Sequence, residues 1–314
     1  TRLYTPDMKT NQVTVRIPAT TANLGSGYDC IGMALDWWNE ITIKVSDRPN
    51  VAIIGEGSSG LSLTEDNLVY RAAQELLKRV NGNDQSFDIT CHNTIPLARG
   101  LGSSAAAIVG GIFAANAVCG DLLRPDELLD LAVEMEGHGD NVAPALLGGC
   151  QIVVRDEQKI FCSAVNLAKD IDVIIFVPDQ PMSTKEGRAL LPREISRDDA
   201  VYNMGRFGML VNSLSSGNLE SLSISTRDKL HQPYREKIFP AMKYIIRSAN
   251  NAGAIGAFLS GGGSSVTAFA TSRTMTIGYE MADVADKIGI PGTLKVTKPS
   301  IMGSHVVTDD DKLE

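Results

Sequence analysis

A glycine-rich turn followed at once by a long run of small residues constrains this chain more than any other feature. The turn, residues 96–102, contains one proline and two glycines, and the run at 103–119 begins with two serines. Glycine lets backbone N–H groups approach an anion closely, and a helix start directs unpaired N–H groups at the same point. The pattern predicts a phosphate-binding loop leading into a buried helix at 103–119. A turn that only caps such a helix is the alternative.

The serines at the predicted helix start suggest a metal as well. A serine hydroxyl such as that of Ser104 can ligand a phosphate-bound Mg²⁺, which prefers oxygen donors. No lysine follows the glycines, so the segment is not the P-loop pattern.

Composition limits the class of protein. The 314 residues are enough for two domains, and 43% hydrophobic with 21% charged residues is typical of soluble globular proteins. A net charge of −8 argues against a nucleic-acid partner, although a local site for an anionic substrate remains compatible with it. The longest apolar run, 105–119, is too short to span a bilayer, so we expect no membrane association.

The cysteines and the first residues indicate a compartment. Five scattered cysteines form no Cys-x-x-Cys pair, so we expect reduced core residues. Residues 1–12 lack the apolar stretch of a secretory signal. Both observations predict a cytoplasmic protein.

Hydrophobic periodicity predicts mixed strands and helices, an α+β fold. The predicted strands are 13–18, 40–45, 51–54, 86–93, 148–154, 173–177, 254–259 and 265–270, and the predicted helices are 67–80, 103–119, 124–137, 183–191, 196–215, 219–225, 240–251 and 281–288. The composition changes little along the chain, and we place a domain boundary near Val165, giving units 1–165 and 166–314.

Two further polar clusters are candidates for a binding site. Asn23 and Asp29 lie in a glycine-bent loop after the first strand, where they either bind a small polar ligand or satisfy their own turn. The segment 134–141 places several polar residues beside an apolar stretch, and one of its glutamates could complete a Mg²⁺ site begun by Ser104. A solvated helix face with a capping histidine is the alternative there.

A second glycine cluster and two arginines complete the candidates. Three glycines at 261–263 between apolar strands indicate either a close backbone approach or a simple hairpin. Arg188 and Arg235 suit bidentate recognition of a carboxylate or phosphate, although an isolated arginine is usually a surface residue.

Together these segments resemble the superfamily of galactokinase, homoserine kinase, mevalonate kinase and phosphomevalonate kinase. Its three motifs match, in order, residues 18–29, 96–107 and 256–266, and segments 138–145 and 231–235 are most similar to the homoserine kinases. The departures are small: Thr21 and Tyr28 replace the usual serine and phenylalanine, and Ser26 and Gly139 stand where many relatives have proline.

The resemblance implies a two-domain α+β fold. The N-terminal ATP-binding domain would be related to a ribosomal protein fold with a left-handed βαβ unit, and the C-terminal domain would be ferredoxin-like and complete the substrate pocket. It implies transfer of phosphate from ATP, with Mg²⁺, to the hydroxyl of L-homoserine, giving O-phospho-L-homoserine and ADP on the route to threonine. A homodimer is the family expectation. Another kinase of the superfamily, such as a mevalonate kinase, or a non-catalytic binding protein is the alternative.

The resemblance also implies roles for individual residues. The ATP site would comprise Asn67 near the adenine and, around the phosphates, Pro96, Leu97, Ala98, Arg99, Gly100, Leu101, Gly102, Ser103, Ser104, Ala105 and Ala106. The metal would be held by Ser104 and Glu134, with Glu136 as the alternative to Glu134. The amino acid would be bound by Asn23, Asp29, His138, Asn141, Thr184, Arg188 and Arg235.

Within that pocket, the two arginines would clamp the substrate carboxylate, and Asp29 would take the ammonium or orient the hydroxyl. Asn141 and Asp140 are the catalytic candidates. Mevalonate kinases are thought to use an aspartate in the motif of Asp140 as a base, whereas homoserine kinases are often described as lacking one.

Overall fold

Two long antiparallel strands, β1 (Gln12–Ala22) and β2 (Ile31–Ser46), form the centre of the first sheet. Their register pairs Gln12 with Lys44 and Ala22 with Gly32, with one irregularity between Pro18 and Ala19. The computed structural model describes residues 11–80, 85–157 and 159–308, so most of the signal-free segment 1–12 and the acidic tail lie outside it.

The other strands are shorter. They are β3 (Asn50–Gly55), β4 (Ser86–Asn93), β5 (Cys150–Asp156), β6 (Lys159–Val165), β7 (Asp172–Pro178), β8 (Gly256–Leu259), β9 (Val266–Ala270), β10 (Gly292–Thr297) and β11 (His305–Val306). The helices are α1 (Leu68–Arg79), α2 (Ser103–Val118), α3 (Pro125–Glu136), α4 (Val142–Leu147), α5 (Thr184–Ala189), α6 (Arg197–Ser216), α7 (Leu222–Ser225), α8 (Gln232–Arg235), α9 (Met242–Ala252) and α10 (Thr274–Lys287).

The first sheet has the order β11-β1-β2-β4-β3, and β5 joins the start of β2 and pairs with β6. β3 and β4 are parallel and are connected through α1, which makes them the βαβ unit of this domain. α2 packs against α1 and the two central strands, and most of its residues are buried, as the run of small residues predicts.

The second sheet is antiparallel, with the order β10-β7-β9-β8. Its strands and the two main helices α9 and α10 follow one another as strand, helix, strand, strand, helix, strand, which is the ferredoxin-like arrangement. The predicted α+β, two-domain fold is thus confirmed. The boundary near Val165 stays a prediction, and the structure adds that β11, near the end of the second unit, pairs with β1 of the first sheet.

Several elements differ from the sequence prediction. β1 continues to Ala22 because the small and hydroxyl residues 19–22 are all buried in the sheet. α10 begins at Thr274, seven residues before the predicted start at Met281, since its first turns contain weak helix formers and are stabilised by tertiary packing. Strands β6 and β10, which carry many exposed residues, were not predicted.

The cysteines are free thiols, as expected: Cys91, Cys119 and Cys150 are buried and Cys30 and Cys162 half-buried. Among the described residues, no helix combines the length and the apolar character needed to cross a membrane.

Gly32 in the first sheet packs directly against the backbone of the segment around Asp140. A Cβ on this buried glycine would lie 1.7 Å from the Asp140 carbonyl oxygen. We therefore expect Gly32→Ala to lower the free energy of unfolding by about 3 kcal/mol, because the backbone of the neighbouring segment must move. Urea denaturation measures it.

Gly205 provides the matched control. It is exposed on α6, and a Cβ there would have no neighbour within 4 Å. Gly205→Ala should raise the free energy of unfolding by about 0.5–1 kcal/mol, since alanine is the better helix former. Equal effects of the two substitutions would contradict the packing described for Gly32.

Candidate active site

The glycine-rich turn presents its main chain at the start of α2. Gly100 and Gly102 both have a φ of +71°, in the left-handed region that favours glycine. A Cβ on Gly102 would lie 2.0 Å from Thr20 Oγ1, and one on Gly100 would lie 2.1 Å from the Ser260 carbonyl oxygen. Gly102 is the N-cap of α2 and has no side chain with which to cap it. The first N–H groups of α2 can therefore bind an anion.

The Arg99 side chain holds this turn against the second sheet. Its Nε donates to the Pro178 carbonyl oxygen at 2.6 Å and its Nη1 to that of Leu97 at 2.8 Å, and Nη2 donates to the carbonyl of Asp179. The guanidinium is thus engaged with backbone carbonyls. Arg99 can contribute to a phosphate site through its main chain.

Ser104 and Glu136 form the oxygen-rich corner of the site. Ser104 Oγ donates to Glu136 Oε2 at 2.7 Å, and the Glu136 side chain is only 12% exposed. Glu134 is 69% exposed and pairs with Arg79. Because positions two apart on a helix point in nearly opposite directions, only one of these glutamates can reach α2. The structure brings Glu136 to Ser104, and not Glu134, which the sequence analysis preferred.

This corner fits Mg²⁺. A hydroxyl and a carboxylate are hard oxygen donors, and burial raises the pKa of Glu136, although the hydrogen bond from Ser104 lowers it. A cation would favour the charged carboxylate. Within the described part of the chain there is no group of three or more His, Cys, Asp or Glu side chains that could hold a metal. A Mg²⁺ bound here would take further ligands from phosphate and water.

Asp29 and Arg188 form a bidentate ion pair. Arg188 Nη1 and Nη2 donate to the two carboxylate oxygens of Asp29 at 2.7 and 2.8 Å, and Nη1 also donates to the Tyr28 hydroxyl at 2.9 Å. By resemblance to the superfamily, Arg188 is expected to bind a substrate carboxylate and Asp29 an ammonium or hydroxyl. The structure pairs the two side chains with each other, across 159 residues of sequence.

Arg235 is a buried cation in a different environment. It is 1% exposed, and its Nη1 donates to His231 Nδ1 at 2.8 Å and to the Gly261 carbonyl oxygen at 3.0 Å. Its Nε has no hydrogen-bond partner, and no acidic side chain of the described residues lies within ion-pair distance. A buried charge without a counterion is unfavourable, so this guanidinium is suited to an anionic ligand.

Asn23 connects the first and third motifs. Its Nδ2 donates to the Gly261 carbonyl oxygen and its Oδ1 accepts from the Asp29 amide, both at 2.9 Å. Although Asn23 lines the pocket, both groups of its amide are engaged in holding the loop. Asn23 thus has the structural role in its turn that was the alternative to ligand binding.

Asp140 organises the segment that closes the pocket. Its Oδ1 accepts from His138 Nδ1 at 2.9 Å and from the backbone N–H of Asn141 at 3.0 Å, and the side chain is 3% exposed. Asn141 Oδ1 accepts from Thr20 Oγ1 at 2.9 Å. Burial alone would lower the pKa of His138, but the hydrogen bond and charge of Asp140 and the charge of Glu136 together raise it.

All these groups surround one cavity of about 230 Å³, which suits a small ligand. It unites the three glycine-rich motifs and every predicted substrate residue. Its lining comprises Asn23, Asp29, Ala98, Gly100, Gly102, Ser103, Ser104, Glu136, His138, Asp140, Asn141, Thr184, Arg188, Arg235, Gly261 and Gly262.

A second, more apolar cavity of about 320 Å³ shares Ser103 and Ser104 with the first. Asn67 lies in its wall, but the Asn67 side chain caps α1 by accepting from the Val69 amide and donates to the Ser62 carbonyl. The apolar wall of this cavity could not be predicted from the sequence, because residues such as Leu61 are isolated apolar residues in a loop before a helix.

Sequence reasoning also missed Tyr28 and His231 as parts of the site. Both lie in the motifs described above, and they could have been predicted because Tyr28 precedes Asp29 and His231 lies in the same short segment as Arg235. The Tyr28 and His231 rings are stacked with centroids 5.3 Å apart.

Comparison with known proteins agrees with this geometry. Two family models match: "GHMP kinases N terminal domain" over residues 67–149 and "GHMP kinases C terminal" over residues 211–275. Homoserine kinases of Moorella thermoacetica and Desulfitobacterium hafniense are each 40% identical to the chain, over 93% and 94% of it and 99% and 100% of their own lengths.

Solved structures give the same result. The crystal structure of homoserine kinase from Cytophaga hutchinsonii superposes with a TM-score of 0.86 at 30% identity, covering 98% of this chain and all of that one. A mevalonate kinase from L. major, 16% identical with a TM-score of 0.66, covers 92% of this chain and 95% of its own and shares the fold. With its three glycine-rich motifs around one polar cavity, and with relatives matched along nearly its whole length, the chain belongs to the homoserine kinase family of GHMP kinases.

Proposed function

We propose that this protein transfers the γ-phosphoryl group of ATP to the side-chain hydroxyl of L-homoserine, yielding O-phospho-L-homoserine and ADP for threonine biosynthesis. The observation that carries the proposal is the cavity in which an open helix start, a carboxylate and a buried arginine without a carboxylate partner lie together. Relatives bearing the name homoserine kinase over the whole length support the choice of substrate.

The two adjoining cavities suggest where each substrate lies. The apolar cavity beside α1 suits a nucleobase, and the start of α2 between the cavities suits the phosphates. The phosphoryl group would then point into the polar cavity that holds the alcohol. Such positioning supplies much of the catalysis in phosphoryl transfer, which requires little covalent work from the protein.

A zwitterionic amino acid complements the charges of the polar cavity. Arg235 offers an uncompensated positive charge to the carboxylate, and Asp29 offers its carboxylate to the ammonium while remaining near Arg188. Asn141 and Thr184 lie where they can contact the remainder of the substrate. A substrate with a carboxylate but no ammonium, such as mevalonate, would leave Asp29 without this partner.

Ser104 and Glu136 are the residues that would hold Mg²⁺. When bound, the ion neutralises charge on the phosphate oxygens as they transfer. The role of Asp140 in this proposal is to orient His138 and Asn141, because its carboxylate is buried and already accepts hydrogen bonds from both residues. The hydroxyl proton can pass to a phosphate oxygen without a protein base. The cytoplasmic location and the homodimer stay predictions.

The choice of substrate is tested with a coupled ADP-release assay of the purified chain. L-homoserine should be turned over with a kcat/KM at least ~100-fold above that of R-mevalonate or galactose, because only homoserine satisfies both Asp29 and Arg235. Turnover of another alcohol in preference to homoserine would overturn the assignment. An inactive chain that binds an ATP analogue would favour the non-catalytic alternative.

The metal corner is tested by two matched glutamate substitutions on α3. Glu136→Gln should lower kcat by about 100-fold, since the neutral amide is a poorer ligand for Mg²⁺. Glu134→Gln should stay within about twofold of the unmodified protein, because its exposed pair with Arg79 contributes little. Steady-state kinetics over a Mg²⁺ titration measures both effects, and the reverse ranking would restore Glu134 as the ligand.

A further inference from the structure

His231 contacts Arg235 from the interior of the protein. The imidazole is completely buried, with Nδ1 2.8 Å from Arg235 Nη1 and Nε2 2.9 Å from the Gly25 carbonyl oxygen. One face of the ring is stacked on Tyr28. The ring therefore has one defined orientation, with a nitrogen directed at the guanidinium.

The partners fix the protonation of this ring. Arginine can only donate, so His231 Nδ1 must be the unprotonated acceptor, and the proton then lies on Nε2 and is donated to the Gly25 carbonyl. The pKa of His231 is lowered, chiefly by burial and also by the positive charge of Arg235. The negative charges of Asp228 and Asp29 raise it, but not enough to offset burial. The neutral ring is the form that the geometry requires.

Asp228 holds the backbone that carries the histidine. Its carboxylate accepts hydrogen bonds from the amides of Leu230, His231 and Gln232 at 2.7–2.9 Å and from the side chain of Asn203 at 2.9 Å. Its Oδ2 lies 3.5 Å from His231 Nε2. The turn before α8 is thereby rigid, and the imidazole it carries is a fixed acceptor.

The neighbouring carboxylates do not compensate Arg235. Asp29 is held by Arg188, and Asp228 accepts hydrogen bonds from three backbone amides and from Asn203. Both attract the charge of Arg235 only from beyond ion-pair distance. The hydrogen bond to a neutral imidazole keeps Arg235 in place and leaves its charge uncompensated.

We propose that His231 is the positioning residue of the substrate pocket, holding Arg235 through an unprotonated Nδ1 so that the uncompensated charge of the guanidinium is available to the carboxylate of the amino-acid substrate. The proposal rests on the homoserine kinase activity proposed above. His231 itself touches no substrate and acts through Arg235.

Two substitutions of His231 by amide residues distinguish the roles of its two ring nitrogens. His231→Asn retains an acceptor at the position of Nδ1, and His231→Gln retains a donor at the position of Nε2. We expect His231→Gln to raise the KM for L-homoserine about tenfold, with kcat and the KM for ATP within about twofold of the unmodified protein. His231→Asn should give a KM for L-homoserine closer to that of the unmodified protein.

The proposal is overturned if His231→Gln leaves the KM for L-homoserine unchanged, or if both variants raise the KM values for ATP and L-homoserine equally. Thermal unfolding checks that the variants fold. A second measurement needs no variant: the ¹⁵N resonances of the histidine rings in the unmodified protein should show His231 protonated at Nε2, and protonation at Nδ1 overturns the proposal. An unmodified protein without activity on L-homoserine would overturn the proposed function while the tautomer could still be determined.

Discussion

Hydrogen bonds to main-chain carbonyls connect three segments from distant parts of the sequence and hold the active site together. The amide of Thr20 donates to the Leu101 carbonyl and that of Gly261 to the Ala22 carbonyl, both at 3.1 Å, and the Ser260 hydroxyl donates to the Gly100 carbonyl at 2.7 Å. These contacts require backbones to approach closely, which explains the glycines. The phosphate-binding turn packs against the segments around residues 20–22 and 260–261, and all three motifs contribute residues to the lining of the polar cavity.

Charge is distributed unevenly over that cavity. One arginine is neutralised by a bidentate aspartate, and the other is buried against a neutral imidazole and a carbonyl. The two arginines are therefore not an equivalent clamp, although the sequence gives no reason to distinguish them. The ion pair at Asp29 and Arg188 keeps both side chains satisfied before any ligand arrives, whereas Arg235 remains unsatisfied until an anion binds.

The sequence was most informative where backbone conformation itself is functional. The turn at 96–102 and the helix after it could be predicted because glycines and helix starts have local causes, whereas the pocket residues were assigned through the resemblance to the kinase superfamily. Which glutamate faces Ser104 depends on the rotation of α3 against α2, and the partner of Arg188 lies 159 residues away. Neither follows from local pattern. For the same reason α10 was predicted to start too late, because packing overrides the weak helix propensity after Thr274.

The short strand β11 has a consequence for how the chain reaches this state during synthesis. It adds to the outer edge of β1, with Val306 opposite Val15, after the whole second sheet has been made. Until that late segment emerges from the ribosome, the edge of β1 exposes unpaired backbone groups that could recruit a strand of another chain. A nascent fragment stopped at the boundary between the two sheets would leave this part of the β1 edge uncovered.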